Sequence, residues 1–235
     1  MTQRPVALVT GASRGIGRAI ALDLARTHDL IVVARTASAL WSLGDEATRL
    51  GAQVSPIECD ITDPAMVQRE LGGTECDVLV NNAGVAALKP FLSLTPEEWH
   101  GMVDVNVNAL YHVTRAVLPG MVERGRGHVI TIGSTAGRNT FVNGSCYVGT
   151  KHFVMGFSEC LMLEVRDAGV KVSMVLPGSV ATELFPPGTD TSWMIEPEDV
   201  AQAVRQLVDT PPHVLQYSVE VRPLSPRRRR DGTTR

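Results

Sequence analysis

Cysteine is scarce in this chain, and so are lysine and tyrosine. The four cysteines (Cys59, Cys76, Cys146, Cys160) show no metal-ligand spacing and sit in apolar or strand-like surroundings, as reduced core thiols of a cytoplasmic protein would. The six histidines include no H-E-x-x-H and no close pair, so no metal site is expected. No apolar run is long enough to span a bilayer. Met1 to Arg4 lead straight into a short strand, without the apolar segment of a secretory signal. The expectation is a cytoplasmic protein with no membrane partner.

Charge of neither sign dominates, the formal balance being −3. Taking the five Arg and one Asp of the tail 227–235 out of the totals of 22 basic and 25 acidic residues leaves a body at −7. An acidic body argues against a nucleic-acid partner, whose footprint is a basic patch. The run Arg227 to Arg230 reads as a disordered, solvated tail, with polyanion binding as the rival reading. Residues 1–226 then form one domain, 44% of the chain being hydrophobic and 20% charged.

Against this scarcity one coincidence stands out. Three tyrosines and three lysines in 235 residues give about 0.04 chance pairs four apart, yet Tyr147 and Lys151 form one. Residues four apart share a helix face, and an ammonium beside a phenol favours the phenolate, which would lower the Tyr147 pKa toward working pH. Ser134 precedes Tyr147 by thirteen residues.

Taken in order, the apolar run Pro5 to Val9 ends in Thr10-Gly11-Ala12-Ser13-Arg14-Gly15-Ile16-Gly17, after which Ile16, Ile20 and Leu24 recur at helical spacing. Strand, glycine turn, helix is an arrangement that brings backbone N–H groups to a pyrophosphate. The spacing G-x-x-x-G-x-G lacks the Lys-Ser/Thr of a phosphoryl-transfer loop. A second strand, Leu30 to Ala34, is followed by Arg35 where NAD-binding folds place an acid for the ribose 2′-hydroxyl. Arg35 with Arg14 suits a 2′-phosphate, so NADP(H) is preferred over NAD(H).

Asp60 follows a third strand, positioned either to reach an adenine or to cap the next turn. Asn81-Asn82-Ala83-Gly84 follows a fourth, and lets a cofactor pass close to the backbone. Thr95 N-caps a helix that runs through Asn106 and Asn108, poor helix-interior residues. A fifth strand ends at Gly133-Ser134. The helix carrying Tyr147 is apolar on more than one side, which predicts a subunit interface, hence a homodimer or homotetramer, a fully enclosed helix being the rival reading of the same pattern. A sixth strand leads to Pro177-Gly178, and 183–195 has the composition of a substrate lid with apolar anchors. A last helix from about Pro197 and a strand near Tyr217 to Val221 complete the domain.

In combination, Thr10-Gly11-x-x-x-Gly15-x-Gly17, Asp60, Asn81-Asn82-Ala83-Gly84, Asn106, Ser134, Tyr147-x-x-x-Lys151 and Pro177-Gly178 make the chain resemble the short-chain dehydrogenase/reductase family over residues 5–223. The resemblance implies an α/β, doubly wound Rossmann-type fold: a seven-stranded parallel sheet with helices on both faces. It implies Tyr147 as catalytic acid/base, Lys151 on the nicotinamide ribose, Ser134 on the reacting oxygen and Asn106 in a water-linked proton relay. It places the cofactor against Gly11, Ser13, Arg14, Gly15, Ile16, Gly17, Arg35, Asp60, Ile61, Asn82, Ala83, Gly84, Tyr147, Lys151, Pro177, Gly178, Val180 and Thr182, with Thr182 at the carboxamide. The substrate pocket is expected at Ser134, Val85, Ala86, Arg138, Phe185, Trp193 and Met194, mainly apolar with one anion-binding group.

The expected activity is hydride transfer between NADP(H) and a small carbonyl or secondary-alcohol substrate. The Tyr-to-Lys spacing, and the absence of a large second domain, separate the chain from enoyl reductases and nucleotide-sugar epimerases that resemble this family. A non-catalytic NADP(H)-binding sensor or scaffold is the rival reading.

Overall fold

The computed structural model describes residues 4–225; the tail reading lies outside them. Seven strands, β1 (Val6–Thr10), β2 (Asp29–Ala34), β3 (Val54–Glu58), β4 (Val78–Asn81), β5 (Gly127–Ile132), β6 (Val170–Pro177) and β7 (Ser218–Val221), pair in parallel in the order β3-β2-β1-β4-β5-β6-β7. The helices are α1 (Gly15–Leu24), α2 (Ala37–Arg49), α3 (Pro64–Leu71), α4 (Pro96–Val103), α5 (Ala109–Glu123), α6 (Ser145–Val165) and α7 (Pro197–Val208).

The central strands read as unbroken apolar runs because both sheet faces are covered. Strand alternation sorts them: Ala7 and Val9 of β1 join a core with Ile20 and Leu24 of α1, Leu40 and Leu43 of α2, and Val200 and Val204 of α7. Leu8, between them, joins the opposite core with Val67 and Leu71 of α3, Val113 and Val117 of α5, and Leu161 and Val165 of α6. Burying a side chain such as Ile20 or Leu79 stabilises the fold by about 1.5–3 kcal/mol, so each face is held by its own apolar layer. The doubly wound Rossmann-type architecture is therefore the one its residues imply, and the strand order reverses between β1 and β4, opening a crevice at the carboxyl ends of those strands.

Helix starts differ in a way that bears on function. Asp63 caps α3, accepting from the N–H groups of Ala65 (2.9 Å) and Met66 (3.1 Å). At α4, Thr95 Oγ1 accepts from Glu98 N (3.2 Å) and Glu98 returns the bond to Thr95 N (3.1 Å), a complete capping box. Helix α1, which opens at the crevice, has no side-chain cap and no acid in its first turn.

Two features differ from the sequence reading. The helix expected to run through Asn106 is broken by a π turn, Asp104–Asn108, between α4 and α5, which accounts for two asparagines at that place. Asn106 turns inward, 4% exposed, while Asn108 Nδ2 donates to Asp104 Oδ1 on the surface. Cys59, Cys76 and Cys146 are buried as expected, but Cys160 is exposed on α6. Burial pushes the thiols of Cys59 and Cys76 up to about 11 and about 12, which keeps them protonated and unreactive. The outer side of α6 presents Phe153 stacked on Phe157 at 5.9 Å between ring centroids, with Leu163 exposed beyond them. Among the described residues no helix is long and apolar enough to cross a membrane.

Candidate active site

A cleft of about 420 Å³ occupies the crevice, lined by the glycine turn, Ala34, Arg35, Asp60, Asn82 to Ala86 and Thr182 to Leu184. Its floor is stitched together by Thr10 and Asn82. Thr10 Oγ1 accepts from the N–H groups of Asn82 (3.0 Å) and Ala83 (3.2 Å), and Asn82 Nδ2 donates to Thr10 O (2.9 Å) and Gly11 O (3.3 Å). Two glycines are required by this closeness. Gly11 sits at φ +64°, and a Cβ on Gly17 would fall 2.3 Å from Gly11 O and 2.4 Å from Asn82 Nδ2. With α1 uncapped, its first N–H groups and its dipole face the cleft, the arrangement that binds phosphate.

Arg14 and Arg35 line the same cleft. Asp60 lies nearby, and its carboxylate accepts from Thr62 Oγ1 (2.7 Å) and Thr62 N (3.0 Å). Those two bonds hold its pKa below the usual carboxylate range, with Arg35 adding to the effect. Of the two readings open for Asp60, the structure shows the turn cap, made by a side chain that also lines the cleft.

At the other end, α6 delivers Tyr147 in its first turn and Lys151 one turn on. Lys151 is 7% exposed, with Nζ donating to Ile132 O (3.2 Å) and standing 5.8 Å from the centre of the Tyr147 ring. Burial pushes its ammonium down to about 8. Burial also raises the Tyr147 phenol above its ordinary value, and only a hydrogen bond from Ser134 works against that. The lowering expected from Lys151 is therefore not found in this state. The ammonium lies over the ring rather than at the phenol oxygen, and desolvation outweighs it. Ser134 caps the short turn after β5, its Oγ accepting from Ala136 N (3.1 Å).

Asn106 ties the two halves together. Its Oδ1 accepts from Val85 N (2.9 Å), and its Nδ2 donates to Val85 O (2.9 Å) and Thr150 Oγ1 (3.1 Å). Thr150 Oγ1 in turn donates to Tyr147 O (2.8 Å). Behind this chain lies a cavity of about 20 Å³, lined among others by Asn81, Asn106, Thr131 and Lys151. Thr150 was not foreseen: nothing in the spacing marks a hydroxyl next to Lys151 as the link between loop and helix.

The cofactor residues expected on the glycine turn, at Arg35, Asp60, Ile61, Asn82 to Gly84 and Thr182 do line the cleft, whereas Tyr147, Lys151, Pro177, Gly178 and Val180 do not, Lys151 lining the small cavity behind Asn106 instead. Gly178 N donates to Val221 O (2.8 Å), binding β6 to β7, and Val180 is buried in the core and bridged to Ile195. On the expected substrate side, Val85 and Ala86 line the cleft. Arg138 is corrected: its guanidinium donates to Glu220 Oε2 (3.2 Å) and Ser218 Oγ (3.1 Å) on β7, so its charge is already paired. Phe185 faces a second cavity on the outer side of α1, Trp193 Nε1 donates to Asp190 O (3.0 Å), and Met194 is buried. Leu184 and Glu183 occupy the cleft wall where Phe185 was expected. An apolar anchor in the loop was readable, but not which of two adjacent residues would face inward.

Comparison with known proteins agrees with this geometry. The short chain dehydrogenase family profile matches residues 5–192. The NADP-dependent 3-hydroxy acid dehydrogenase YdfG of Salmonella typhi is 36% identical over 239 residues, covering 94% of this chain and 95% of that one. The closed form of serine dehydrogenase complexed with NADP+ superposes with a TM-score of 0.84 at 33% identity, over 93% of this chain and 95% of that one. The alcohol dehydrogenase of Thermococcus sibiricus complexed with 5-hydroxy-NADP gives 0.87 at 29% identity, over 96% and 99%. With the profile spanning most of the chain and a relative 36% identical along nearly all of it, the chain belongs to the short-chain dehydrogenase/reductase family.

Proposed function

We propose that the protein is an NADP(H)-dependent oxidoreductase acting on a carbonyl or secondary-alcohol substrate, with Tyr147 as the general acid/base. The observation that carries this reading is that α6 brings the half-buried Tyr147, with the Lys151 ammonium buried 5.8 Å from the centre of its ring, to the end of β5 where Ser134 stands. The cleft fits the cofactor: an uncapped helix end over a glycine turn for the diphosphate, and two arginines for a 2′-phosphate. When bound, NADP(H) supplies or takes the hydride at the substrate carbon.

The protein's own part is the proton. Tyr147 gives its phenolic proton to the substrate oxygen as that oxygen gains charge in reduction, and takes it back in oxidation. Ser134 donates a hydrogen bond to the same oxygen, stabilising the charge where it develops. Lys151, with a pKa near 8, is charged at neutral pH and compensates the phenolate left on Tyr147. The Asn106-lined cavity has room for one water, which supports a proton path from Lys151 toward solvent. Thr150 and Asn106 hold the first turn of α6 against the Val85 loop and so fix where Tyr147 points.

Val85, Ala86 and Leu184 make the substrate wall apolar, and Arg138, paired with Glu220, no longer offers a carboxylate anchor. The exposed Phe153 and Leu163 on α6, with the half-buried Phe157 stacked on Phe153, support assembly with a second copy of the chain. Purified protein assayed with NADPH against a panel of ketones and aldehydes tests the activity, and Tyr147→Phe is expected to lose at least 10²-fold in kcat. Full turnover in that variant would sink the mechanism.

A further inference from the structure

Ser134 ends β5, and the residues after it fold at once into a short turn. Gly137 N donates to Ser134 O (2.9 Å), and Thr135 O accepts from Arg138 N (3.1 Å), Asn139 N (3.1 Å) and Asn139 Nδ2 (2.8 Å). A turn closed by so many of its own bonds moves as one piece. Inside it, Ala136 N donates to Ser134 Oγ (3.1 Å). That bond fills one acceptor position on the hydroxyl oxygen and leaves its hydrogen to be donated elsewhere. Where Ala136 N stands therefore decides how the Ser134 hydroxyl is turned.

Two contacts fix this turn from outside. On one side Gly137 abuts α6 so closely that a Cβ there would lie 2.7 Å from Met155 Cγ and 2.8 Å from Lys151 O. On the other, Arg138 reaches past β6 to β7, where Nη1 donates to Glu220 Oε2 (3.2 Å) and Nη2 to Ser218 Oγ (3.1 Å). The far end of that clamp is itself held. Gly178 N donates to Val221 O (2.8 Å), a Cβ on Gly178 would stand 3.2 Å from Pro223 Cδ, and Glu220 accepts a further bond from Arg222 Nε. A planar guanidinium bonded at two of its donors fixes direction as well as distance.

We propose that Arg138 is a positioning residue for the reaction: by clamping the 135–137 turn to β7 it holds Ala136 N against the Ser134 oxygen, and so keeps the Ser134 hydroxyl aimed at the reacting oxygen. The inference rests on the role given to Ser134 above. Arg138 and Glu220 form a partly exposed pair, of the kind that adds little to folding stability. The clamp acts on the rate and leaves stability almost untouched.

The test is a double-mutant cycle on the full chain, with Arg138→Ala, Ser134→Ala and the double variant assayed on NADPH and the ketone or aldehyde of the panel that wild type reduces fastest. Arg138→Ala should lose about 5- to 20-fold in kcat, a fraction of the roughly 10²- to 10³-fold that losing such a donor outright costs. Its KM for NADPH should be unchanged and its Tm within about 3 °C of wild type. In the Ser134→Ala background the same change should cost less than about 2-fold, because the hydroxyl it acts through is gone. Arg138→Lys should recover only part of the loss, since an ammonium lacks the fork that spans Glu220 and Ser218. Hydrogen exchange, which needs no substrate, should find the Ala136 amide faster in Arg138→Ala while the amides of β5 keep their protection. An equal kcat loss in both backgrounds, full recovery by lysine or an unchanged Ala136 amide overturns the positioning role alone. A wild type that reduces no member of the panel, or full turnover in Ser134→Ala, overturns the reading of the site itself, and the positioning role with it.

Discussion

Replacing Lys151 with methionine should make the cofactor-free protein more stable while abolishing turnover. The ammonium is 7% exposed and its pKa falls from an ordinary 10.5 to about 8. At about 1.36 kcal/mol per tenfold, holding that charge in the folded state costs roughly 3 kcal/mol at pH 7. Methionine fills a similar volume without charge, but gives up the bond to Ile132 O, worth about 1 kcal/mol. The net expectation is about 2 kcal/mol of added stability, or a Tm higher by about 4–8 °C for a chain of this size.

The pH dependence has a definite sign. Below about pH 8 the native state carries the charged amine and its full cost. Between about 8 and 10.5 the unfolded chain keeps the proton that the native chain has shed, so wild-type stability rises with pH. The variant has no such gain, and the gap between the two proteins closes across that window. Urea midpoints at pH 7 and pH 10, with unchanged m-values, measure it. A variant less stable than wild type at pH 7, or a gap equal at both pH values, would refute the claim that Lys151 is a desolvated charge.

Other consequences are open to direct measurement. Arg35→Asp should weaken NADPH binding about 10- to 100-fold, the value of charge-assisted bonds to a phosphate, while leaving NADH binding nearly unchanged; an unaltered preference in fluorescence titration would show that Arg35 does not read the 2′-phosphate. Gly17→Ala forces a Cβ to within 2.3 Å of Gly11 O, and thermal scanning should find it destabilised by about 1–3 kcal/mol; an unshifted Tm would contradict the tight floor of the cleft. Phe153→Glu on the outer side of α6 should lower the mass seen by light scattering to that of one chain, and an unchanged mass would place the assembly surface elsewhere.

What the sequence made readable and what it hid divide along physical lines. Strands buried on both faces announce themselves as apolar runs, and the glycine turn is legible because a side chain at Gly11 would combine a left-handed φ of +64° with a backbone atom of Ala83 at 2.9 Å, and one at Gly17 would clash with Gly11 O. Tyr147 and Lys151 were legible because their spacing is the helix repeat itself. Arg138 was not: its partner Glu220 lies 82 residues away, a distance over which no pattern in the chain predicts pairing. Nor was the choice between Leu184 and Phe185, since an irregular loop has no period to say which side faces in. The response of the Tyr147 phenol was misjudged for a different reason. Spacing reports proximity, whereas the pKa is decided by burial, which belongs to the assembled fold.

The π turn at Asp104–Asn108 carries an implication for how this sequence can change. One surplus residue in a helix is a local conflict between the best fold and the working arrangement: deleting it would restore a regular ladder across α4 and α5 and swing Asn106 by about 100° off Val85 and Thr150. Selection for robustness alone would erase that residue, and selection for chemistry must keep putting it back. Single-residue deletions scanned through this stretch should therefore yield proteins that fold well and do nothing, marking the place where foldability and activity pull the chain in opposite directions.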